Sequence, residues 1–230
     1  MELVAHRGAN WHFPENTLQA FRRALQDGAT VLEMDVRKTR DDVMVVCHDA
    51  VFNGKRISRT RYEALKEVLP RLEDILLAFP TTRINVDIKV VDLKAAYLTV
   101  DLIRKHQATG RVCLMSFYSE VHRWLHDLKY EGERGLSRLE LLLLLLLPPS
   151  LIKFLNWRGR RAQVPVRYGF DSSFFVRKCH ALGIAVDYWV VNQVETAQRL
   201  IGLGADRIMT DDPATLMPLS SGVGSVQAYN

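Results

Sequence analysis

The sequence predicts an α/β fold, a TIM (β/α)8 barrel with a small hairpin insertion after strand 2, and three observations lead there. Short apolar runs, too brief for buried helices, recur at 3–5, 30–36, 84–88, 112–117, 185–191 and 207–210, and their Val, Ile, Leu and Met content is that of parallel strands covered on both faces. Stretches of helical spacing lie between them, such as Leu18, Phe21, Leu25 and Leu93, Tyr97, Val100, Ile103. With weaker strands near 133–137 and 163–167, the 230 residues hold about eight β/α units, the size of such a barrel. A doubly wound sheet is the alternative arrangement of the same units.

Residues 38–49, KTRDDVMVVCHD, interrupt the strand–helix rhythm. A turn at Asp41-Asp42 followed by alternating Val43, Val45 and Cys47 reads as a hairpin excursion, not a barrel strand. One domain is expected over 1–218, and the small-residue stretch from Ser220 to Ser225 marks 219–230 as a flexible tail. A composition of 48% hydrophobic and 25% charged residues excludes a disordered, collagen-like or multi-span membrane chain. The net charge of +5 favours anionic partners such as phosphate or a phospholipid surface. It is too modest, without an RRM or OB signature, for a nucleic-acid reader. Cys47, Cys113 and Cys179 are odd in number and contain no C-x-x-C, so neither a disulfide framework nor a zinc site is suggested. With no basic n-region before Leu3-Val4-Ala5, a cytoplasmic location is expected, with the inner membrane face as a peripheral variant.

Barrel enzymes carry their reactive groups where parallel strands end. Polar residues here obey that rule: His6-Arg7 follow the first run, Asp87 and Lys89 close INVDIK, Ser116 follows 112–115 and Asn192 follows YWVV. Glu33 and Asp35, two apart on one strand, leave the same face roughly 6.6 Å apart along the chain. Two carboxylates in an apolar strand need a cation or a basic partner. With Asp87 as a third oxygen donor, the set favours one Mg²⁺ or Ca²⁺ over zinc; the competing reading is an ion pair with Arg37 or Lys89. His6 and His48 suit acid and base roles because imidazole titrates near neutrality, although a loop salt bridge to Asp49 explains His48 equally well. Arg7 and Lys89 offer donors to a phosphate or charge balance to the carboxylates.

The strings HRGANWHFPENTLQAF at 6–21 and LEMDVRKTRDDVMVVCHD at 32–49 resemble the N-terminal signature of glycerophosphodiester phosphodiesterases: HRG, five residues, PENT, then E-x-D and a terminal HD. LPRLEDIL at 69–76, INVDIK at 84–89, MSF at 115–117, YWVVN at 188–192 and GADRIMTDDP at 204–213 follow in that family's order. The resemblance implies a TIM barrel in which Glu33, Asp35 and Asp87 hold one divalent cation, Mg²⁺ or Ca²⁺, His6 and His48 are the acid and base pair, and Arg7 and Lys89 bind phosphate. It implies that Glu15 and Asn16 shape the first loop and that Trp189 lines the leaving-group side. The implied reaction is hydrolysis of a glycerophosphodiester to glycerol-3-phosphate and an alcohol. Its rivals are a lysophospholipase D-like activity on lysophospholipids and a non-catalytic phosphate- or lipid-binding barrel. Two positions depart from the pattern: Asp42 stands for a turn glycine, and Asp87 stands where many members have Glu, which shortens that carboxylate by a methylene and bears on the choice of metal.

Leu141 to Leu147 are seven consecutive leucines closed by Pro148-Pro149, far short of the ~20 residues that span a bilayer. A helix with leucine on every face is buried all round or exposes an apolar strip. With Lys153, Trp157, Arg158, Arg160 and Arg161 behind it, residues 141–161 predict a peripheral membrane contact, a dimer contact or a buried helix in equal measure.

Overall fold

The computed structural model describes residues 1–152, 154, 155, 157 and 159–220. In chain order, β1 (Glu2–His6) leads through α1 (Leu18–Gln26) to β2 (Val31–Lys38), then to the short β3 (Met44–Val46), β4 (Val51–Phe52) and β5 (Lys55–Arg56). After α2 (Leu72–Ala78) come β6 (Arg83–Ile88), α3 (Leu93–Lys105), β7 (Val112–Met115), α4 (Ser119–Asp127) and β8 (Glu133–Arg134). Then follow α5 (Arg138–Leu146), α6 (Pro149–Ile152), β9 (Arg161–Pro165), α7 (Ser173–His180), β10 (Ala185–Trp189), α8 (Val194–Leu203), β11 (Arg207–Thr210) and α9 (Pro213–Ser220).

Eight of these strands are parallel, in the order β8-β7-β6-β2-β1-β11-β10-β9. The ring closes between β8 and β9 through Gly135 and Arg161, where Leu136 N–H donates to Arg161 O at 2.8 Å. This is the TIM barrel; the doubly wound alternative has no such closure. β3 returns antiparallel on the end of β2, pairing Val36 with Val46, and lies off the parallel path. Asp42 adopts φ 65° in the connecting turn, a left-handed conformation that Asp tolerates better than most residues.

Strand alternation sorts the core. Leu32, Met34 and Val36 of β2 face the helices, which puts Val31, Glu33 and Asp35 inside the barrel. Val4, Val31 and Met209 form a small apolar plug on the inner face of three neighbouring strands. Below it the strand starts carry charge: Arg161 contacts Asp187 at 2.6 Å and Glu133 at 3.0 Å, and Arg207 contacts Glu2 at 2.6 Å. Burial pushes the Asp187 carboxyl up to about 6 against the pull of Arg161 and Arg207.

One expectation changes, and two others meet the structure only in part. On α3 the core face is Ala95, Ala96, Thr99, Val100 and Ile103, while Leu93 and Tyr97 are exposed, because small side chains let the helix approach the sheet. The leucine helix α5 buries Leu144 and exposes Leu139, Leu142 and Leu146. Its start is a capping box in which Ser137 Oγ accepts from Glu140 N and the Glu140 carboxylate accepts from Ser137 N. Of the cations and aromatic behind it, Trp157 is buried and donates to Ile152 O at 3.1 Å, and Arg161 is inside the barrel, so neither faces a lipid surface. Lys153 and Arg158 lie outside the described residues. The tail expected at 219–230 starts within α9, which runs to Ser220, and the remainder lies outside the described residues. Among the described residues no helix is long and apolar enough to cross a membrane.

Candidate active site

The first strand ends at His6, and the chain then turns sharply, with Arg7 at φ 56° and Gly8 at φ 88°. That turn aims His6 into the barrel mouth and brings Arg7 N–H to Glu33 Oε2 at 3.1 Å. The PENT segment returns beneath it: Thr17 caps α1 by accepting from Ala20 N, and buried Asn16 donates to Asp35 Oδ2 at 3.2 Å. Arg7 is held from both sides, donating to Glu15 Oε2 at 2.9 Å with its Nε 3.0 Å from Asp35 Oδ2.

Glu33 and Asp35 rise on β2 beside Asp87 on β6, Asp35 and Asp87 being paired in register. All three carboxylates are buried. Lys89 Nζ lies 2.5 Å from Asp87 Oδ2 and 3.1 Å from Asp35 Oδ1, so the ion pair with Lys89 exists. Arg37 is not a partner: it donates to the carbonyls of His48 and Lys89 at 2.8 and 3.1 Å. Lys89 cannot balance the whole group. Burial and the neighbouring Asp35 push Glu33 above the usual carboxylate range, and burial raises Asp87 against the attraction of Lys89. Among the described residues Asp87 Oδ1 is buried without a hydrogen-bond donor, and Asp35 Oδ1 has only the ion-pair contact with Lys89. Unsatisfied anionic oxygens with no soft ligand fit a hard divalent cation. Among the described residues no set of three His, Cys, Asp or Glu side chains is drawn together as a finished metal cage.

His6 Nδ1 contacts Asp211 Oδ1 at 2.7 Å. Burial disfavours the imidazolium, but the Asp211 hydrogen bond and the field of Glu33 outweigh it and raise the pKa of His6. Asp211 also accepts from Asn10 at 2.7 Å and from Asn192 at 2.8 Å, and these bonds keep its carboxyl low in spite of burial. His48 stands on the loop after β3, half-exposed, with Nδ1 2.9 Å from Asp49 Oδ1.

His6, Arg7, Glu33, Asp35, His48, Asp87, Lys89 and Trp189 all line one cavity of about 230 Å³, joined by Met115, Phe117, Gln163 and Met209. Trp189 meets Phe117 edge to face with centroids 6.0 Å apart, and Lys89 Nζ lies 5.0 Å from the Phe117 ring centre. Ser116 takes no part: its hydroxyl donates to Ile88 O at 2.7 Å. Sequence reasoning missed Asp211, although β11 alternation from Met209 points it inward, while Asp212 accepts from Thr215 on α9. It also missed Gln163, buried with both amide atoms unpartnered among the described residues.

The sequence pattern of the Glycerophosphoryl diester phosphodiesterase family matches residues 6–111. A Mycobacterium tuberculosis protein named "Probable glycerophosphodiester phosphodiesterase 2" is 31% identical over 231 residues, covering 90% of this chain and 86% of its own length. The rat protein named Lysophospholipase D GDPD1 is 26% identical, covering 93% and 84%. Among solved structures, a glycerophosphodiester phosphodiesterase from Parabacteroides distasonis superposes with a TM-score of 0.81 at 26% identity, covering 96% of this chain and 97% of that one. An Oleispira antarctica phosphodiesterase, solved with its product sn-glycerol-3-phosphate, shares the fold with a TM-score of 0.81 at 20% identity, covering 96% and 97%. The barrel, the cluster at its mouth and the relative from M. tuberculosis agree: this chain belongs to the glycerophosphodiester phosphodiesterase family and is a phosphoric diester hydrolase.

Proposed function

We propose that this hydrolase cleaves glycerophosphodiesters to sn-glycerol 3-phosphate and an alcohol, with one divalent cation held by Glu33, Asp35 and Asp87 and with His6 and His48 as its proton-transfer pair. The observation that carries the reading is the convergence of these groups with Arg7 and Lys89 on a single cavity of about 230 Å³. The product is that of the Oleispira antarctica enzyme. When bound, Mg²⁺ or Ca²⁺ supplies Lewis-acid neutralisation of phosphoryl oxygen. Arg7 and Lys89 offset the remaining phosphate charge. The ionised Asp211 can only accept, so His6 Nδ1 keeps its proton and Nε2 is the atom that exchanges. A raised pKa suits His6 to protonate the departing alkoxide, leaving His48 to deprotonate the attacking hydroxyl, whether water or the glycerol's own. Gln163, with its free amide, hydrogen-bonds the substrate's glycerol hydroxyls.

The test is release of sn-glycerol 3-phosphate from glycerophosphocholine after EDTA treatment, with Mg²⁺ or Ca²⁺ then restored. Activity should return with metal and fall by roughly 10²-fold or more in His6→Ala and His48→Ala. No release with any cation would leave a non-catalytic phosphate-binding barrel.

One observation favours a second substrate class. A narrow cavity of about 40 Å³ adjoins the first, sharing Met115, Phe117, Gln163 and Trp189, and reaches Leu136 and Leu141. It is too small to enclose an acyl chain, but it abuts α5, whose Leu139, Leu142 and Leu146 are exposed. A lysophospholipid would seat its headgroup in the cavity and lay its chain on that face, an activity in keeping with the name of the rat relative. Leu142→Glu with Leu146→Glu should depress turnover of micellar lysophosphatidylcholine and spare glycerophosphocholine. Equal effects on both would remove the leucine face from substrate binding.

A further inference from the structure

The larger cavity in this barrel is not the one that gathers the histidines. A cavity of about 530 Å³ opens at the opposite end, where the strands begin, and its wall includes Arg83, Arg111, Arg160, Arg161 and Arg207. That end of a TIM barrel ordinarily serves stability, and three of the arginines do so. Arg83 and Arg207 share Glu2, and Arg161 bridges Asp187 and Glu133. The other two are not accounted for in this way. Among the described residues Arg111 donates to the carbonyls of Thr82 and Leu76 alone, both at 3.0 Å, and Arg160 is exposed at the rim. No carboxylate among the described residues pairs with either, and Glu131, on the same wall, is taken by Arg104 at 2.8 Å.

A second observation is independent of the charge. Asn85, 1% exposed, lines this cavity, and among the described residues neither its amide oxygen nor its amide nitrogen has a partner. Buried polar groups are ordinarily satisfied, so the wall offers a donor and an acceptor beside a surplus of guanidinium. Guanidinium forks match phosphate oxygens in pairs, and the volume lies within the range of small-molecule sites. We infer that this cavity binds a small phosphorylated anion of two or more negative charges, at a site separate from the one that cleaves the diester.

Isothermal titration of the full chain with inorganic pyrophosphate in EDTA buffer tests this, alongside Arg160→Glu, Arg111→Gln with Arg160→Gln, and Lys89→Met. Arg160 is exposed, so its reversal leaves folding intact, which the melting temperature verifies. Pyrophosphate affinity should fall tenfold or more in both arginine variants and stay within twofold in Lys89→Met. Metal-restored hydrolysis of glycerophosphocholine should remain within twofold of wild type in Arg160→Glu. Absence of binding, or binding lost only in Lys89→Met, would overturn the inference, the latter by placing the anion in the catalytic cavity.

Discussion

A Cβ added to Gly8 would lie 2.7 Å from the Cβ of Ala20, in a residue whose φ of 88° already disfavours a side chain. The glycine of HRG therefore fixes the turn that carries His6 and Arg7. Gly8→Ala is expected to cost about 2–3 kcal/mol, read as a lowered melting temperature, and to depress activity by displacing both side chains. Asp211 sets a different expectation. Its hydrogen bond holds the His6 pKa up, so in Asp211→Asn that pKa falls and burial is left to lower it further. If His6 must be protonated to act, the alkaline limb of the kcat profile moves to lower pH, with kcat reduced roughly 10²-fold. A limb that stays in place would show that another group sets it. These cases mark what the sequence discloses at this scale. Carboxylates and histidines at strand ends are legible because apolar runs make them conspicuous. Asp211 lies beside Asp212 in a polar stretch, and only the pleat of β11 separates one that enters the mouth from one that braces α9.

Between elements, Glu73 on α2 links to α3 through Lys105 at 2.7 Å and His106 at 3.0 Å. These bonds hold its carboxyl at about 2, below its unperturbed value of 4.5. Such a depressed carboxylate adds stability that is present above pH 4.5 and lost as pH falls toward 2. The pair is partly exposed, so its worth is at most about 1 kcal/mol, or ~2–4 °C in melting temperature for a chain of this size. Glu73→Gln should melt lower than wild type at pH 7 and converge with it as the pH approaches 2; a constant gap would assign the loss to packing instead. Elements with strong signals were readable: β1, β2, β6, β10 and β11 fall on apolar runs. The face of α3 was not, because alanine and threonine carry the contact while Leu93 and Tyr97 stay outside. The leucine run had no periodicity to read. Its orientation is set by contacts distant in sequence, including buried Lys178 of α7, whose ammonium donates to the carbonyls of Leu144 and Leu147 at the end of α5.

At the scale of the whole barrel, charge is divided between its two ends by the apolar plug of Val4, Val31 and Met209. The lower end pairs Glu2, Glu133 and Asp187 with Arg83, Arg161 and Arg207 and leaves Arg111 and Arg160 over, whereas the mouth gathers Glu33, Asp35 and Asp87 around Lys89 and Arg7. Burial raises Glu33 and Asp87 and so favours their protonated forms until a cation of the proposed kind offsets their charge. Metal binding should therefore release protons and stabilise the barrel together. At a free Ca²⁺ or Mg²⁺ concentration about tenfold above its Kd, the gain is about 1.4 kcal/mol, or ~3–6 °C in melting temperature. Asp87→Asn removes one oxygen anion and, measured against the variant's own melting temperature in EDTA, should abolish most of both the shift and the proton release. A wild-type barrel whose melting temperature is indifferent to EDTA and to added cation would refute the carboxylate cage without reference to turnover, and would leave Lys89 and Arg7 as the charge that meets the phosphate.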